Sequence, residues 1–516
     1  MVRGRPITIP EKIEYYSGAY TIYPSSSTQT LSVSGLKMRQ NLTIRSVSSN
    51  PFDAYIEGQF DTIENSTARY VGGGIFYNTE LEGVTFTSAS YIGNRAFANG
   101  YIETVSFPAC SRVNSYAFSS CRYLSSVYMP ELRSIGTGAF YSCPSLPYVS
   151  FPLCEEVGYS AFLSCTRVSF VSLPKCTGIK DNAFMSCYSL KSVYAPSCRW
   201  IGEEAFYGCN LSGSLVFPSV SIIYTSAFGM TSIANANFPL VSELGGSAFV
   251  GCSSLVSASF PKLSQIWSNT FNGCTALETV NIQSCRSIGN GAFARCTALQ
   301  SINAPNCTYL SNYAFSGCIN LSRVDMQECL FVGSYTFSGD YNLTEVNMPE
   351  CETIGSYAFS FCTGLTEAIF SRCTSIGIGA FQSCYGLTNV YLPQVSYISG
   401  VFYYCSGLTG VDMSQLETVG IRAFANCSAL REISLPACTY ISASAFQMCS
   451  VLESIYLMGS VIPSLNSNAF YSTPLSQVSY IGVYGSIFVP VSLYSSYLTR
   501  AGWSYYSNRI VSVAEE

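Results

Sequence analysis

Phe140-Tyr-Ser-Cys143-Pro-Ser-Leu146-Pro-Tyr-Val149-Ser-Phe151-Pro152-Leu-Cys154-Glu-Glu-Val157-Gly158-Tyr-Ser-Ala161-Phe162 is one turn of a repeat, and it decides the fold. Its closing Phe returns as Phe97, Phe118, Phe140, Phe162, Phe184, Phe206, Phe228, Phe249, Phe271, Phe293, Phe315, Phe337, Phe359, Phe381, Phe402, Phe424, Phe446 and Phe470. These 18 copies are separated by 21 or 22 residues, with a last step of 24. Phe76, in Ile75-Phe76, fits as a degenerate nineteenth. Self-similarity at such a period is the signature of a solenoid.

The apolar skeleton of the unit is Leu146, Val149, Phe151, Cys154 and Val157, the pattern LxxLxLxxCxxL. Val149-Ser150-Phe151 alternates with period 2, so a short strand turns Val149 and Phe151 inward and Ser150 outward. Pro152 ends that strand because it cannot donate to a ladder. A column of glycines (Gly93, Gly136, Gly158, Gly202 and their equivalents) marks a turn that needs small or conformationally free residues. The Ala-Phe-x-x-Cys segment is expected to cross back as a short helical turn.

The unit resembles the leucine-rich repeat, and specifically the BspA-like type with its "IP…IG..AF..C" phrase. That phrase recurs at Ile135-Gly136-Thr-Gly-Ala139-Phe140 and at Ile354-Gly355-Ser-Tyr-Ala358-Phe359-Ser-Phe-Cys362. The resemblance implies a curved α/β-type horseshoe. It would have one long parallel β-sheet and short helical or irregular convex segments. Residues 71–474 are expected to form the repeats, 1–70 a β-rich attachment or capping region, and 475–516 a strand-helix cap. No unit buries its apolar face alone, so neighbours must stack. Phe118, Phe140, Phe162, Phe184, Phe206, Phe293, Phe315, Phe359, Phe381 and Phe424 are read as the structural spine.

Composition narrows the function. Hydrophobic residues make up 48% and charged residues 11%, against about 25% charged in ordinary soluble domains. Net charge is −5 with no Lys/Arg-rich run, so no nucleic-acid partner is expected. No apolar stretch nears the roughly 18 residues of a membrane span. The chain has no His, which excludes Ser-His-Asp and Cys-His catalysis and His-ligated metals. Met1 to Pro10 contains basic residues but no following apolar region, so no secretory signal peptide is legible.

All 24 Cys fall in two columns of the repeat. Fourteen lie three residues after a spine Phe, as Cys121 and Cys143 do; ten lie eight residues before the next, as Cys110 and Cys154 do. The second column exchanges with Leu132, Val220 and Leu263, which points to a buried apolar role. There is no CxxC pair, so reduced structural thiols are expected, with no metal and no cofactor.

The outward strand positions form the expected binding face. One stretch carries Tyr128, Tyr148, Phe170 and Tyr194, an aromatic platform suited to sugars or protein loops; Tyr is also favoured simply by strand propensity. A second carries Arg323, Asp325, Glu345, Asn347 and Glu367, which is either a solvated patch or a Ca²⁺ site. The carboxylates Glu345 and Glu367 raise glycoside hydrolysis, but a strand ladder offers a shallow groove rather than a dry pocket. The expectation is a non-enzymatic binding protein.

The two ends carry further resemblances. Tyr16 to Ile44 has the cadence "Y.G.Y…P….QTL…..M..N.T.I" and resembles segments of tail-associated proteins of phages and prophages of gut Firmicutes. It reads as two or three short strands with a polar turn at Ser25 to Thr28. Ser486 to Pro490 reads as a last strand and Val491 to Gly502 as an amphipathic helix. The whole segment resembles the "IYVP…AY..A.GW..Y..RI" ending of such repeat proteins. Two roles follow from these resemblances. One is a virion tail protein for surface recognition or structure. The other is a secreted or cell-surface adhesin binding protein or glycan on another surface. The oligomeric state is open.

Overall fold

The computed structural model describes residues 69–476 and 485–514, together with the backbone of six short strands between Ile13 and Asn65. The chain divides into two compact units, Met1–Ser254 and Leu255–Glu516. Both are parallel-strand solenoids with very little helix, as the repeat predicts.

Each turn contributes two strands. In the first unit, Thr104–Ser106 pairs in parallel with Ser126–Tyr128, and Arg112–Val113 with Ser134–Ile135. Each turn therefore feeds two ladders where the sequence suggests one sheet. The two-residue strands form a continuous nine-stranded ladder from Tyr70–Val71 to Glu243–Leu244. The three-residue ladder breaks between Ser126–Tyr128 and Tyr148–Ser150. Pro147 stands immediately before the second of these strands. In neighbouring turns the residue before the strand donates its N–H backward, Ser125 to Glu103 at 2.8 Å and Lys191 to Ser169 at 3.0 Å. Proline has no N–H to give.

The second unit repeats the scheme. Arg323–Asp325 pairs with Glu345–Asn347, and Phe331–Val332 with Thr353–Ile354.

The Ala-Phe segment is not helical. It is a hydrogen-bonded turn with a left-handed residue two positions before and two after the spine Phe. Around Phe118 these are Tyr116 (φ 57°) and Ser120 (φ 61°). The left-handed residues aim alternate N–H groups along the stacking direction. Tyr116, Phe118 and Ser120 donate to Thr137, Ala139 and Tyr141 of the next turn at 2.7–2.8 Å. An α-helix would spend those donors within the turn. Left-handed backbone usually calls for Gly, yet Ser, Asn, Tyr and Arg fill most of these positions here.

The glycine column has a different cause. A Cβ on Gly136 would lie 2.6 Å from Asn114 C in the preceding turn. What the site requires is close backbone approach.

The spine is a stack of fully buried rings. Phe97 and Phe118 are 5.0 Å apart, Phe118 and Phe140 5.2 Å, and Phe293 and Phe315 5.2 Å. Phe76 joins the stack 4.9 Å from Phe97, which makes it a true spine position. Full burial of each ring contributes about 1.5–3 kcal/mol.

At the C-terminal end the expected strand is present at its full length, the helix is shorter than expected, and a further strand joins them. Ser486–Pro490 leads into Tyr494–Thr499, and Ile510–Val513 returns to pair in parallel with Ser486–Pro490. Trp503 and Tyr506 cover the last spine ring, Phe470, with centroids at 6.4 and 5.6 Å. The Trp503 indole N–H donates to Pro463 O at 2.6 Å. Near the N-terminus, Ile13–Tyr16, Ala19–Ile22 and Leu31–Ser34 form an antiparallel sheet. The polar turn at Ser25 to Thr28 lies outside the described residues.

Candidate functional site

Because the side-chain period of a strand is 2, the middle residue of each three-residue strand points to the core and its two neighbours point out. Tyr148–Ser150 has Val149 1% exposed, with Tyr148 at 52%. Tyr128, Tyr148, Phe170, Tyr194, Arg323, Asp325, Glu345, Asn347 and Glu367 all fall at outward positions of such strands.

The aromatic residues are only partly brought together. Tyr148 and Phe170 are direct register partners. Tyr194 follows one strand later in the neighbouring column, opposite Ser172. Tyr128 sits across the Pro147 break in another ladder. All four are exposed, at 56% for Tyr128 and 42% for Phe170 and Tyr194.

A cleft of about 320 Å³ lies further along the same face, lined by Ser212, Gly213, Leu215, Asn235, Asn237 and neighbouring apolar side chains, none of them charged. Val216, the residue beside Leu215, is the register partner of Tyr194. The sequence reading missed this cleft. Its signal was a one-residue shift: Leu follows Cys by three residues at Cys187 and Leu190, but by two at Cys209 and Leu211. Both leucines are buried, and the shift falls just before Ser212 and Gly213, which line the cleft.

The charged cluster is internally paired. Arg323 meets Glu345 at 2.9 Å and Asp325 at 3.8 Å, and Asn347 Nδ2 donates to Asp325 Oδ1 at 2.9 Å. These contacts occupy the oxygens that a cation would need. Glu367 belongs to a different ladder, paired with Asn389. Among the described residues no group of three or more His, Cys, Asp or Glu is placed to hold a metal ion. No helix among them is long and apolar enough to cross a membrane.

All the cysteines are buried free thiols, and the two columns do different work. In the first, thiols donate to the carbonyl of the spine Phe one turn back: Cys121 to Phe97 and Cys143 to Phe118 at 3.0 Å, Cys318 to Phe293 at 3.1 Å. In the second, each bonds locally two residues on, as Cys176 does to Gly178 O at 3.2 Å. Burial pushes the Cys121 thiol up to about 12 and Cys176 to about 11. The thiolate is the reactive form, so these columns are poor nucleophiles and serve packing and hydrogen bonding.

The sequence profile of the BspA type leucine-rich repeat region (6 copies) matches residues 7–100, 46–169, 90–212, 177–300, 221–341, 264–388 and 374–487. No curated protein matches. Among solved structures, a leucine-rich repeat protein from Bacteroides ovatus ATCC 8483 is similar at 21% identity and TM-score 0.50, covering 70% of this chain and 88% of that one. A leucine-rich repeat protein from Eubacterium ventriosum ATCC 27560 is 22% identical with TM-score 0.34, covering 60% and 84%. A leucine-rich cell surface protein from Faecalibacterium prausnitzii A2-165 is 17% identical with TM-score 0.29, covering 78% and 95%.

Proposed function

The chain belongs to the BspA-type leucine-rich repeat family, and from that premise we propose that it is a non-enzymatic recognition protein. Its outward strand face meets a protein or a neutral glycan on a cell surface. The observation that carries this reading is the conjunction on one face of the first unit. Tyr148 and Phe170 are exposed on paired strands, Tyr194 is diagonal to them, and an uncharged cleft edged by Ser212, Asn235 and Asn237 lies beyond. Flat aromatic faces with amides and hydroxyls nearby bind neutral, partly apolar ligands through area and a few placed hydrogen bonds. The paired cluster at Arg323 is a solvated surface under this reading.

The test is a glycan array run beside whole-cell binding. The full chain is compared with a variant carrying Tyr148→Ala, Phe170→Ala and Tyr194→Ala. Saturable binding that the variant loses supports the face. Binding retained by a folded variant moves recognition elsewhere. No binding to any cell or glycan removes the cell-surface reading.

A second role, attachment to a phage or prophage tail, draws on the cadence of residues 16–44 alone. Tail and baseplate genes beside this one would favour it; sortase or secretion genes would favour the adhesin.

A further inference from the structure

In the second unit the first cysteine column reads Cys296, Cys318, Asp340, Cys362, Cys384. Asp340 therefore occupies, three residues after Phe337, the slot that holds a thiol in the turns on either side. It is fully buried. Its Oδ1 accepts the Cys318 N–H at 2.8 Å, whereas Oδ2 has no hydrogen-bond partner among the described residues.

Nearly every turn carries a donor in this slot, the turn with Gly100 after Phe97 being the one besides that of Asp340 that holds neither Cys nor Thr. Cys362 Sγ donates to Phe337 O at 3.1 Å, as Cys318 does to Phe293 O. Where the slot holds Thr, the hydroxyl donates to the spine carbonyl of its own turn instead of the one before: Thr79 to Phe76 O at 2.9 Å and Thr231 to Phe228 O at 2.8 Å. An ionised carboxylate can only accept. It would bring a charge into an apolar column with no cation paired to it among the described residues, at a cost that a neutral acid avoids.

We propose that Asp340 is a proton-operated latch: protonated, it sits neutral in the apolar column, and on losing its proton it loosens the turns from Phe315 to Cys362. The titratable groups facing it are the thiols of Cys318 and Cys362, one turn to each side. Both are themselves held well above the ordinary thiol value, by burial first and by Asp340 second. Burial also holds the Asp340 carboxyl well above the ordinary carboxylate range, with the Cys318 and Gly317 N–H groups pulling it part of the way back.

The direction in pH follows from linkage. The closed turn binds one proton more than the opened turn between the ordinary carboxylate pKa and the raised one. Below that window the latch is fully set. Closure weakens as pH rises through it, with an opening equilibrium growing by up to about tenfold per pH unit.

Thiol labelling of the native full chain, resolved by peptide mass spectrometry between pH 5 and 9, reads this directly. Each site's rate is divided by its rate in the denatured chain at the same pH, and Cys143 and Cys165 serve as internal references. The expected result is that protection of Cys318 and Cys362 falls with rising pH relative to those references. Asp340→Cys and Asp340→Asn should both remove the excess, and the Asn variant keeps the shape if the Cys variant misfolds. Equal pH dependence at all four thiols in the parent chain would overturn the proposal, as would excess pH dependence that survives in a folded Asp340→Asn chain.

Discussion

Around Phe140 the first cysteine column reads Cys121, Cys143, Cys165; around Phe337 it reads Cys318, Asp340, Cys362. The scaffolds are otherwise alike. Phe118 and Phe140 stack at 5.2 Å, and Phe315 and Phe337 at 5.4 Å. Phe140 N donates forward to Ala161 O at 2.8 Å, and Phe337 N to Ala358 O at 2.7 Å. The comparison teaches what the column selects for. A slot that accepts Cys, Thr, once Gly and once Asp is not chosen for thiol chemistry. In nearly every turn it holds a small side chain that gives a hydrogen to a spine carbonyl, and Asp could do so only with its proton on.

The largest expected effect breaks both regions alike. Phe140→Ala or Phe293→Ala removes a fully buried ring and should cost about 3–5 kcal/mol locally. Hydrogen exchange would show lost protection concentrated in the two flanking turns. An even loss along the chain would mean that the stack is more cooperative than nearest-neighbour coupling allows.

Next in size, Asp340→Cys should stabilise the second unit by about 1–3 kcal/mol at pH 8, the usual cost of an unsatisfied buried polar group. The gain should be smaller at pH 5 than at pH 8, because burial holds the Asp340 carboxyl above the ordinary range and lower pH favours its neutral form. Urea unfolding at the two pH values checks both the size and the sign.

In the region with no Asp, Cys143→Ala should cost about 1–2 kcal/mol through lost volume and a lost donor. Cys143→Ser keeps the donor and should recover part of this. For Cys154 of the second column, where Leu also occurs in the sequence, the better replacement should be Leu rather than Ser. The order of melting temperatures among these variants separates a donor column from a packing column.

The smallest effects lie outside. Arg133→Ala, which breaks an exposed pair to Glu155 at 3.2 Å, should change stability by less than about 1 kcal/mol. Tyr148→Ala and Phe170→Ala should leave the melting temperature nearly unchanged while abolishing ligand binding. A large loss of stability from either would assign that ring to scaffold rather than recognition.

The sequence by itself determined the repeat length, the strand register, the Phe spine and the inward and outward positions. Each of these is a matter of whether a side chain sits in water or not, and apolar periodicity writes that into the order of residues. The outward columns at Tyr148 and Arg323 were legible for this reason. Tertiary structure alone decided the rest. Two parallel ladders stand where one was expected. The Ala-Phe turn is left-handed at two points instead of helical. Gly136 serves close backbone approach, the three-residue ladder breaks after Tyr128, and an uncharged cleft lies just beyond Leu211. Each depends on which main-chain group lies opposite, about 22 residues away. Asp340 belongs with these. In the sequence it is one acid among 30 Asp and Glu, and only the stack reveals that it is buried in a column of donors with a proton to hold or to lose.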